Sequence, residues 1–153
     1  MKCLIGKENH DRGQIERNPS AKWIYLPQDI RSFFKKPVLL DNFLKLDINE
    51  SLIRQFLGGA KLSAEHVLQH VANLSPGELM RAAIVWCILY QAEFLFLDEP
   101  TNHLDIESLQ ILDQLLKQYP GGFFCITHDR QFIATHAEEV LILEDKKLHH
   151  CRS

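Results

Sequence analysis

Two acidic residues, Asp98 and Glu99, directly follow the apolar run Phe94 to Leu97. A buried strand that ends in adjacent carboxylates places them at the edge of a sheet, and their side chains point differently because successive strand residues alternate. One carboxylate can therefore hold Mg²⁺ while the other faces a reacting phosphate. A strand that simply runs out into an acidic turn is the plainer interpretation, and this short pattern alone favours it.

The segment Ser75 to Glu78 predicts the start of a helix. Ser75 as N-cap, Pro76 at the first helical position and Glu78 three residues after the serine form a capping box. Capping alone accounts for these residues. A helix start with a hydroxyl, and with Gly77 permitting close approach, is also suited to bind a phosphate. Ser75 can cap the helix in the absence of ligand and contact a phosphate when one arrives.

Two further polar positions follow predicted strands. Thr127 and His128 come after the apolar run Phe123 to Ile126, and Gln28 closes the run that begins at Lys22. A histidine at such a place can donate to a phosphate oxygen, and a glutamine amide oxygen can bind a metal ion or water. A structural role is the commoner explanation for either residue by itself.

Strands and helices must alternate to position these residues. Apolar runs at 22–28, 93–98, 122–128 and 139–145 predict strands, and residues 29–90 are mainly helical in pattern, with a helix from about Pro76 to Tyr90. Ile106, Leu109, Leu112 and Leu116 share one face of a later helix. Continuous apolar strands between helices predict an α/β fold with a parallel sheet covered on both faces. In such sheets ligands bind beyond the carboxyl ends of the strands.

The composition is that of one globular domain spanning residues 1–153. Seventeen Lys and Arg residues against 20 Asp and Glu give a net charge of -3, so no positive field recruits nucleic acid, and no direct DNA binding is expected. The longest apolar run, Ala82 to Tyr90, is less than half of the ~20 residues of a membrane span. With no recognisable signal peptide, the sequence predicts a cytoplasmic protein.

The four cysteines, Cys3, Cys87, Cys125 and Cys151, lie far apart and form no CxxC pair. Structural thiols are therefore expected, and not disulfides or a zinc site. His149, His150 and Cys151 carry metal-binding groups, but at a chain end such residues are interpreted as a frayed tail.

Three strings in one order, LSPGE, FLFLDEPTNHLD and ITHDRQF, resemble the ABC ATPases, and the resemblance covers nearly the whole chain. It implies a P-loop NTPase-like fold that binds ATP and Mg²⁺, with residues 29–90 as a small helical subdomain. The strings EPTNHLD and THDRQF look most like the ABC-F subfamily, whose members carry two cassettes and act on the ribosome.

The resemblance also implies roles for individual residues. Gln28 would be the Q-loop glutamine, Asp98 the metal-binding end of the Walker B strand, Glu99 the catalytic glutamate and His128 the switch histidine. Leu74 to Glu78 would form the signature motif, in which Ser75, Gly77 and Glu78 serve the nucleotide of a second cassette. Leu104 and Asp105 would form the D-loop.

The sequence departs from the family pattern in two ways. Pro76 stands where the usual signature has glycine, which removes one backbone N–H but suits a helix start. No GxxxxGK[ST] string occurs anywhere in the chain. Residues 1–13 instead resemble the helix and turn that follow a P-loop, which predicts an N-terminally truncated cassette. The missing opening strand would, on this interpretation, pair beside Phe94 to Leu97.

The sequence thus predicts a cassette whose intact form hydrolyses ATP at the interface with a second cassette and has the ribosome among its partners. One alternative is a non-catalytic, truncated cassette remnant whose signature face can still meet another cassette, and the missing P-loop favours it for the isolated chain. Another alternative is the ATPase subunit of a membrane transporter, which the string EPTNHLD disfavours.

Overall fold

The computed structural model describes residues 1, 3–6, 8–9, 14–16, 18–144 and 147–151, and only the backbone of residues 147, 148 and 151. The strands are β1 (Trp23–Leu26), β2 (Phe94–Asp98), β3 (Gly122–Ile126), β4 (Val140–Glu144) and β5 (Lys147–Cys151). The α-helices are α1 (Glu50–Gly59), α2 (Ala64–Leu68), α3 (Pro76–Leu89), α4 (Ile106–Lys117) and α5 (Arg130–His136). Short 3₁₀ helices span Ile30–Phe33, Leu40–Asn42, Leu44–Leu46 and Val71–Asn73.

The first three strands form a parallel sheet in the order β1-β2-β3. Leu26 of β1 pairs with Leu97 of β2, and Asp98 pairs with Ile126 of β3. The α/β class and the parallel sheet predicted from the sequence are therefore confirmed. The expected place for an additional strand beside Phe94–Leu97 is wrong, because β2 already has a hydrogen-bonded neighbour on each side.

The two faces of this sheet are covered unequally. Leu26, Leu95 and Leu97 are fully buried in the core, which they share with residues of α3 and α4. On the other face Phe96 lies among Trp23, Phe94 and Phe124, and all four aromatic rings are only partly buried. The prediction of a sheet covered on both faces therefore holds for one face among the described residues.

The last apolar run does not join the parallel sheet. Val140–Glu144 forms an antiparallel hairpin with Lys147–Cys151, in which Leu141 pairs with His150 and Ile142 with His149. The prediction of a frayed tail at His149 to Cys151 is therefore wrong. Successive strand residues point to opposite faces, so the two histidines do not share a face, and His150 Nε2 lies 3.6 Å from Glu139 Oε2.

Helices fill the region between β1 and β2, as the sequence predicts. The buried Asn42 orders the segment that enters this helical region. The side-chain oxygen of Asn42 accepts the backbone N–H groups of Lys35 and Lys36, both at 2.8 Å. Its amide group donates to the carbonyls of Lys36 and Val38 at 3.1 and 2.9 Å. These bonds satisfy an otherwise costly buried amide and hold the loop that leads from the sheet into the helices.

Helix α4 buries the predicted apolar face only in part. Leu112 and Leu116 are buried as expected, but Ile106 is 76% exposed, and Ile111 is buried in addition. Ile106 is the first residue of α4, and at this end of the helix the predicted apolar stripe runs into solvent. Among the helices that the structure describes, none combines the length and the apolar character of a membrane span.

Candidate functional site

The carboxyl ends of the three parallel strands bring the predicted catalytic residues to one edge of the sheet. Asp98 ends β2 opposite Ile126, the last residue of β3, so Glu99 and Thr127 follow on neighbouring strands. Leu26 ends β1 opposite Leu97, which places Gln28 just past the same edge. Parallel pairing creates this convergence, because all three strands run in one direction.

Glu99 is held in a defined position at this edge. Its backbone N–H donates to the carbonyl of Ile126 at 2.8 Å, and its φ is 51°, in the left-handed region that non-glycine residues rarely adopt. Its carboxylate Oε1 lies 3.3 Å from Nε2 of His128. The Glu99 side chain is 13% exposed and that of His128 is 95% exposed. A sheltered carboxylate thus meets an exposed imidazole, an arrangement able to polarise a water molecule between protein and phosphate.

Tyr25, which the sequence analysis did not single out, contacts the other acid. Its hydroxyl donates to Oδ2 of Asp98 at 2.8 Å. Tyr25 pairs with Phe96 in the sheet register, and Asp98, two residues further along β2, lies on the same face, where a long side chain reaches the diagonal neighbour. Burial, and after it the hydrogen bond and charge of Asp98, raise the pKa of Tyr25 to about 12.

We expect Tyr25→Phe to flatten the loss of stability at alkaline pH. An unfolded tyrosine ionises near its ordinary pKa of 10.0, below that of the folded residue, so between pH 10 and about 12 the unfolded chain binds fewer protons and the free energy of unfolding falls. Removing the hydroxyl lowers the difference in bound protons between the folded and unfolded chain by at most one. Urea unfolding at pH 9, 10 and 11 measures the slope, and an unchanged slope contradicts the assignment. Tyr119→Phe is a positive control, since burial raises that pKa to about 12 as well.

The described cysteine side chains are free thiols, in line with the sequence prediction. Cys125 lies on β3 close to the acidic edge. Burial first, and then the charges of Glu99, Asp98 and Asp129, raise its pKa to about 12. Burial alone raises the pKa of Cys87 still further. Both thiols therefore stay protonated and unreactive at neutral pH.

The donor set at the sheet edge fits Mg²⁺. Within the described residues no group of three or more His, Cys, Asp or Glu side chains is placed to hold a metal ion. Mg²⁺ commonly binds through one or two carboxylates and completes its shell with phosphate and water oxygens. Asp98 and Gln28, which lie at or just past the ends of paired strands, offer a carboxylate and an amide oxygen of this kind.

Gln28 itself is exposed and lines a cleft of about 310 Å³. Pro76 at the start of α3 lines the same cleft, as do Asn102 and His103 from the loop after β2. Arg31, three residues after Gln28, donates to the carbonyl of Leu74 at 3.1 Å. The loop after β1 is therefore in direct contact with the segment that starts α3.

Ser75 and Glu78 form the predicted capping box. The Ser75 side-chain oxygen accepts the backbone N–H of Glu78 at 3.2 Å, and Glu78 Oε2 accepts the backbone N–H of Ser75 at 2.8 Å. A serine hydroxyl has two acceptor sites and one proton. Because capping uses one acceptor site, the exposed Ser75 hydroxyl can still donate its proton to an anionic oxygen. Capping and phosphate binding are thus compatible at the same time.

Leu74 and Gly77 face inward. The Leu74 side chain is 1% exposed and belongs to the core, so it does not reach a partner. A Cβ added at Gly77 would lie 2.2 Å from Oγ of Ser108 and 2.7 Å from its Cβ. The close approach that Gly77 permits in this chain is therefore that of α4 to α3.

We expect Gly77→Ala to destabilise the fold by ~1–3 kcal/mol, the usual cost of an extra methyl in a packed contact. The sign of the change in unfolding free energy is informative, because in a helix without this contact alanine is more stabilising than glycine by ~1 kcal/mol. Urea unfolding measures the change. In the matched double variant Gly77→Ala with Ser108→Gly, the new Cβ enters the space left by the old one, so at least half of the loss should return. Lack of any destabilisation by Gly77→Ala alone contradicts the steric argument.

Asp105 begins α4. Its carboxylate accepts the backbone N–H of Ser108 at 2.7 Å, and this bond, together with the Ser108 hydroxyl, lowers the pKa of Asp105 below its ordinary value. The buried Arg81 adds a weaker electrostatic contribution, and its guanidinium donates to the carbonyls of Gly77 and Ala60 at 3.3 and 3.1 Å. Asp105 thus has a complete structural role as a helix cap, beside the role that the family resemblance implies.

Comparison with known proteins gives consistent matches. The family model described as ABC transporter matches residues 1–102. YdiF of Bacillus subtilis is 35% identical over 150 residues, which are 97% of this chain and 23% of that protein. The energy-dependent translational throttle protein EttA of Mycobacterium tuberculosis is 50% identical over 74 residues, 48% of this chain and 13% of that protein. ATP-binding cassette sub-family F member 2 of Mus musculus is 32% identical over 96 residues, 63% of this chain and 15% of that protein.

The chain therefore spans about a quarter or less of the length of these relatives. Among solved structures, the dimeric post-hydrolysis state of the ATP-binding cassette MJ0796 bound to ADP and Pi aligns with a TM-score of 0.68 and 22% identity, over 87% of this chain and 64% of that one. This likeness shows the fold. The family match and the sequence relatives go further: this chain belongs to the ABC ATPase family and has members of sub-family F among its homologues.

Proposed function

We propose that this chain is a cassette that acts in ATP hydrolysis at the interface of two ABC cassettes. In this proposal Glu99 polarises the attacking water and His128 contacts the γ-phosphate. The observation that carries it is the 3.3 Å approach of Glu99 Oε1 to His128 Nε2 at the ends of neighbouring strands. Asp98 and Gln28 bind Mg²⁺ at the same sheet edge, and the bound ion would neutralise charge on the phosphates.

The signature segment serves the second cassette. Ser75 is exposed, and its capping bond leaves the hydroxyl proton available to an anionic oxygen. The N-terminus of α3, 14 residues long, adds the positive end of a helix dipole. In this proposal the signature face meets nucleotide held at the P-loop of the partner cassette.

The test is association. The 153-residue chain is mixed with a P-loop-bearing ABC cassette whose catalytic glutamate has been replaced, and analytical ultracentrifugation is run with Mg²⁺ and ATP, with ADP and without nucleotide. We expect a heterodimer with ATP only. Absence of a heterodimer, while the partner still pairs with itself in ATP, removes the proposed function.

A ribosomal role is the more specific proposal for the intact protein. It rests on the likeness to EttA, whose name describes a translational throttle and which is 50% identical to this chain over 74 residues. Sedimentation of a tagged chain from cell extract separates this proposal from a transporter subunit. Recovery with ribosomes and loss on ribosome removal support it, whereas recovery with the membrane fraction supports the transporter alternative.

A further inference from the structure

His66 connects two capping boxes. It is the third residue of α2. Its ring Nδ1 accepts the backbone N–H of Ser63 at 3.1 Å, and its backbone N–H donates to Oγ of Ser63 at 3.3 Å. Its Nε2 lies 3.5 Å from Oε1 of Glu78, the third residue of α3. The other Glu78 oxygen accepts the backbone N–H of Ser75. One imidazole therefore joins the start of α2 to the start of α3.

The hydrogen bonds fix the proton on this imidazole. Since Nδ1 accepts from the Ser63 N–H, the single proton of a neutral ring must sit on Nε2, which then points it at Glu78. The two side chains are 31% and 21% exposed, so solvent only partly screens the contact. Glu78 is thus held from two sides, by the Ser75 N–H and by His66.

We propose that His66 is a positioning residue for the signature serine. By holding one oxygen of Glu78, it keeps the other oxygen on the Ser75 N–H, and so fixes the orientation in which the Ser75 hydroxyl meets a phosphate of the partner cassette. This inference rests on the proposed function, because it assigns His66 to the signature side of that two-cassette site. His66 acts through Glu78 and does not touch nucleotide.

The charge of Glu78 explains why its position matters. A carboxylate beside a phosphate site repels the anion unless its charge is directed elsewhere. In the structure the charge is directed at two donors, the Ser75 N–H and the imidazole. Without the imidazole the carboxylate can leave the Ser75 N–H, which breaks one half of the capping box and moves negative charge toward the approaching phosphate.

Two matched variants separate this role from simple helix capping. His66→Gln and His66→Glu both retain an oxygen for the Ser63 N–H, because Gln and Glu are the usual third residues of a capping box. Only His66→Gln retains a donor toward Glu78, whereas His66→Glu places a like charge there. Thermal unfolding of both variants shows first that they fold, and hydrogen exchange of the Ser75 amide then reports on the Glu78 contact.

We expect the Ser75 amide of His66→Glu to exchange about tenfold faster than in the parent, the effect of losing a hydrogen bond to a charged group. ATP-dependent association with the P-loop-bearing cassette should weaken about tenfold as well, while His66→Gln stays within about twofold of the parent. Adding Glu78→Gln to His66→Glu removes the like charge and should restore the Ser75 exchange rate to within about threefold of the parent.

Each outcome has a definite meaning. Unchanged Ser75 exchange in His66→Glu, or faster exchange that Glu78→Gln does not reverse, overturns the role of His66 even when the parent chain pairs. A parent chain that does not pair with ATP overturns the proposed function, whatever the exchange rates are. The exchange measurement needs only this chain, so the two failures are distinguishable.

Discussion

In a chimaera that joins a P-loop segment to this chain, Glu99→Gln should lower ATP turnover by ~10²–10⁴ and leave ATP affinity within a few-fold, the usual effect of removing a positioned general base. The reason lies in the geometry. The Ile126 carbonyl fixes the Glu99 backbone, and the carboxylate is 13% exposed beside His128. Glutamine has the same shape and can still contact the imidazole, but its amide cannot accept a proton from water.

Single-turnover hydrolysis measures the chemical step, and equilibrium binding of a fluorescent ATP analogue measures affinity. Glu107→Gln is a matched control, because Glu107 is an exposed glutamate in the first turn of α4. That variant should keep turnover within about twofold of the parent, as is usual for surface substitutions. If Glu99→Gln also stays within a few-fold of the parent, Glu99 has no part in the mechanism.

Local sequence signals predicted the features whose causes are local. The apolar runs that became β1, β2 and β3 are short, continuous and bounded by turn residues, and a strand buried in a parallel sheet requires little else. The capping box at Ser75 depends on two residues three positions apart, and it forms as predicted. The convergence of Gln28, Asp98 and His128 at one edge then follows from parallel pairing.

Features that depend on which segments pair or pack together were not predictable in this way. The hairpin of Val140–Glu144 with Lys147–Cys151 exists because a polar run pairs with an apolar one, and nothing in EVLILED shows which partner it takes. The contact of Tyr25 with Asp98 requires the sheet register, which places two residues 73 positions apart on one face. His66 meets Glu78 because the fold brings the start of α2 near the start of α3, which no spacing in the sequence shows.

The order of the strands also decides where the sheet can be extended. With β2 between β1 and β3, the middle strand of the described sheet has no open edge, so a further strand can join this sheet only beside β1 or β3. The loops that follow adjacent parallel strands lie next to each other. The loop after an added strand would therefore lie beside Gln28 if that strand pairs with β1, and beside His128 if it pairs with β3. Of the two catalytic candidates, Glu99 follows β2, and it contacts His128, which follows β3.

Ser75→Arg should abolish ATP-dependent association with a P-loop-bearing cassette while leaving the fold intact. A phosphate can approach the start of α3 only if the N-cap side chain is small, and arginine places a long side chain in that approach. The variant also loses a cap, at a cost of ~0.5–2 kcal/mol of stability. That cost alone does not prevent association, so the two effects must be separated.

Asn49→Arg provides the separation. Asn49 is the N-cap of α1, where its side chain accepts the backbone N–H of Ser51 at 2.8 Å, and its replacement removes a cap of the same kind from a helix outside the signature segment. Both variants should lose similar stability in urea unfolding, but only Ser75→Arg should lose the heterodimer in sedimentation with ATP. Equal loss of association in both variants would assign the effect to stability. Full association of Ser75→Arg would show that the start of α3 does not face the partner's nucleotide, because an exposed cap with an arginine on it leaves no other route for a phosphate to reach this helix end.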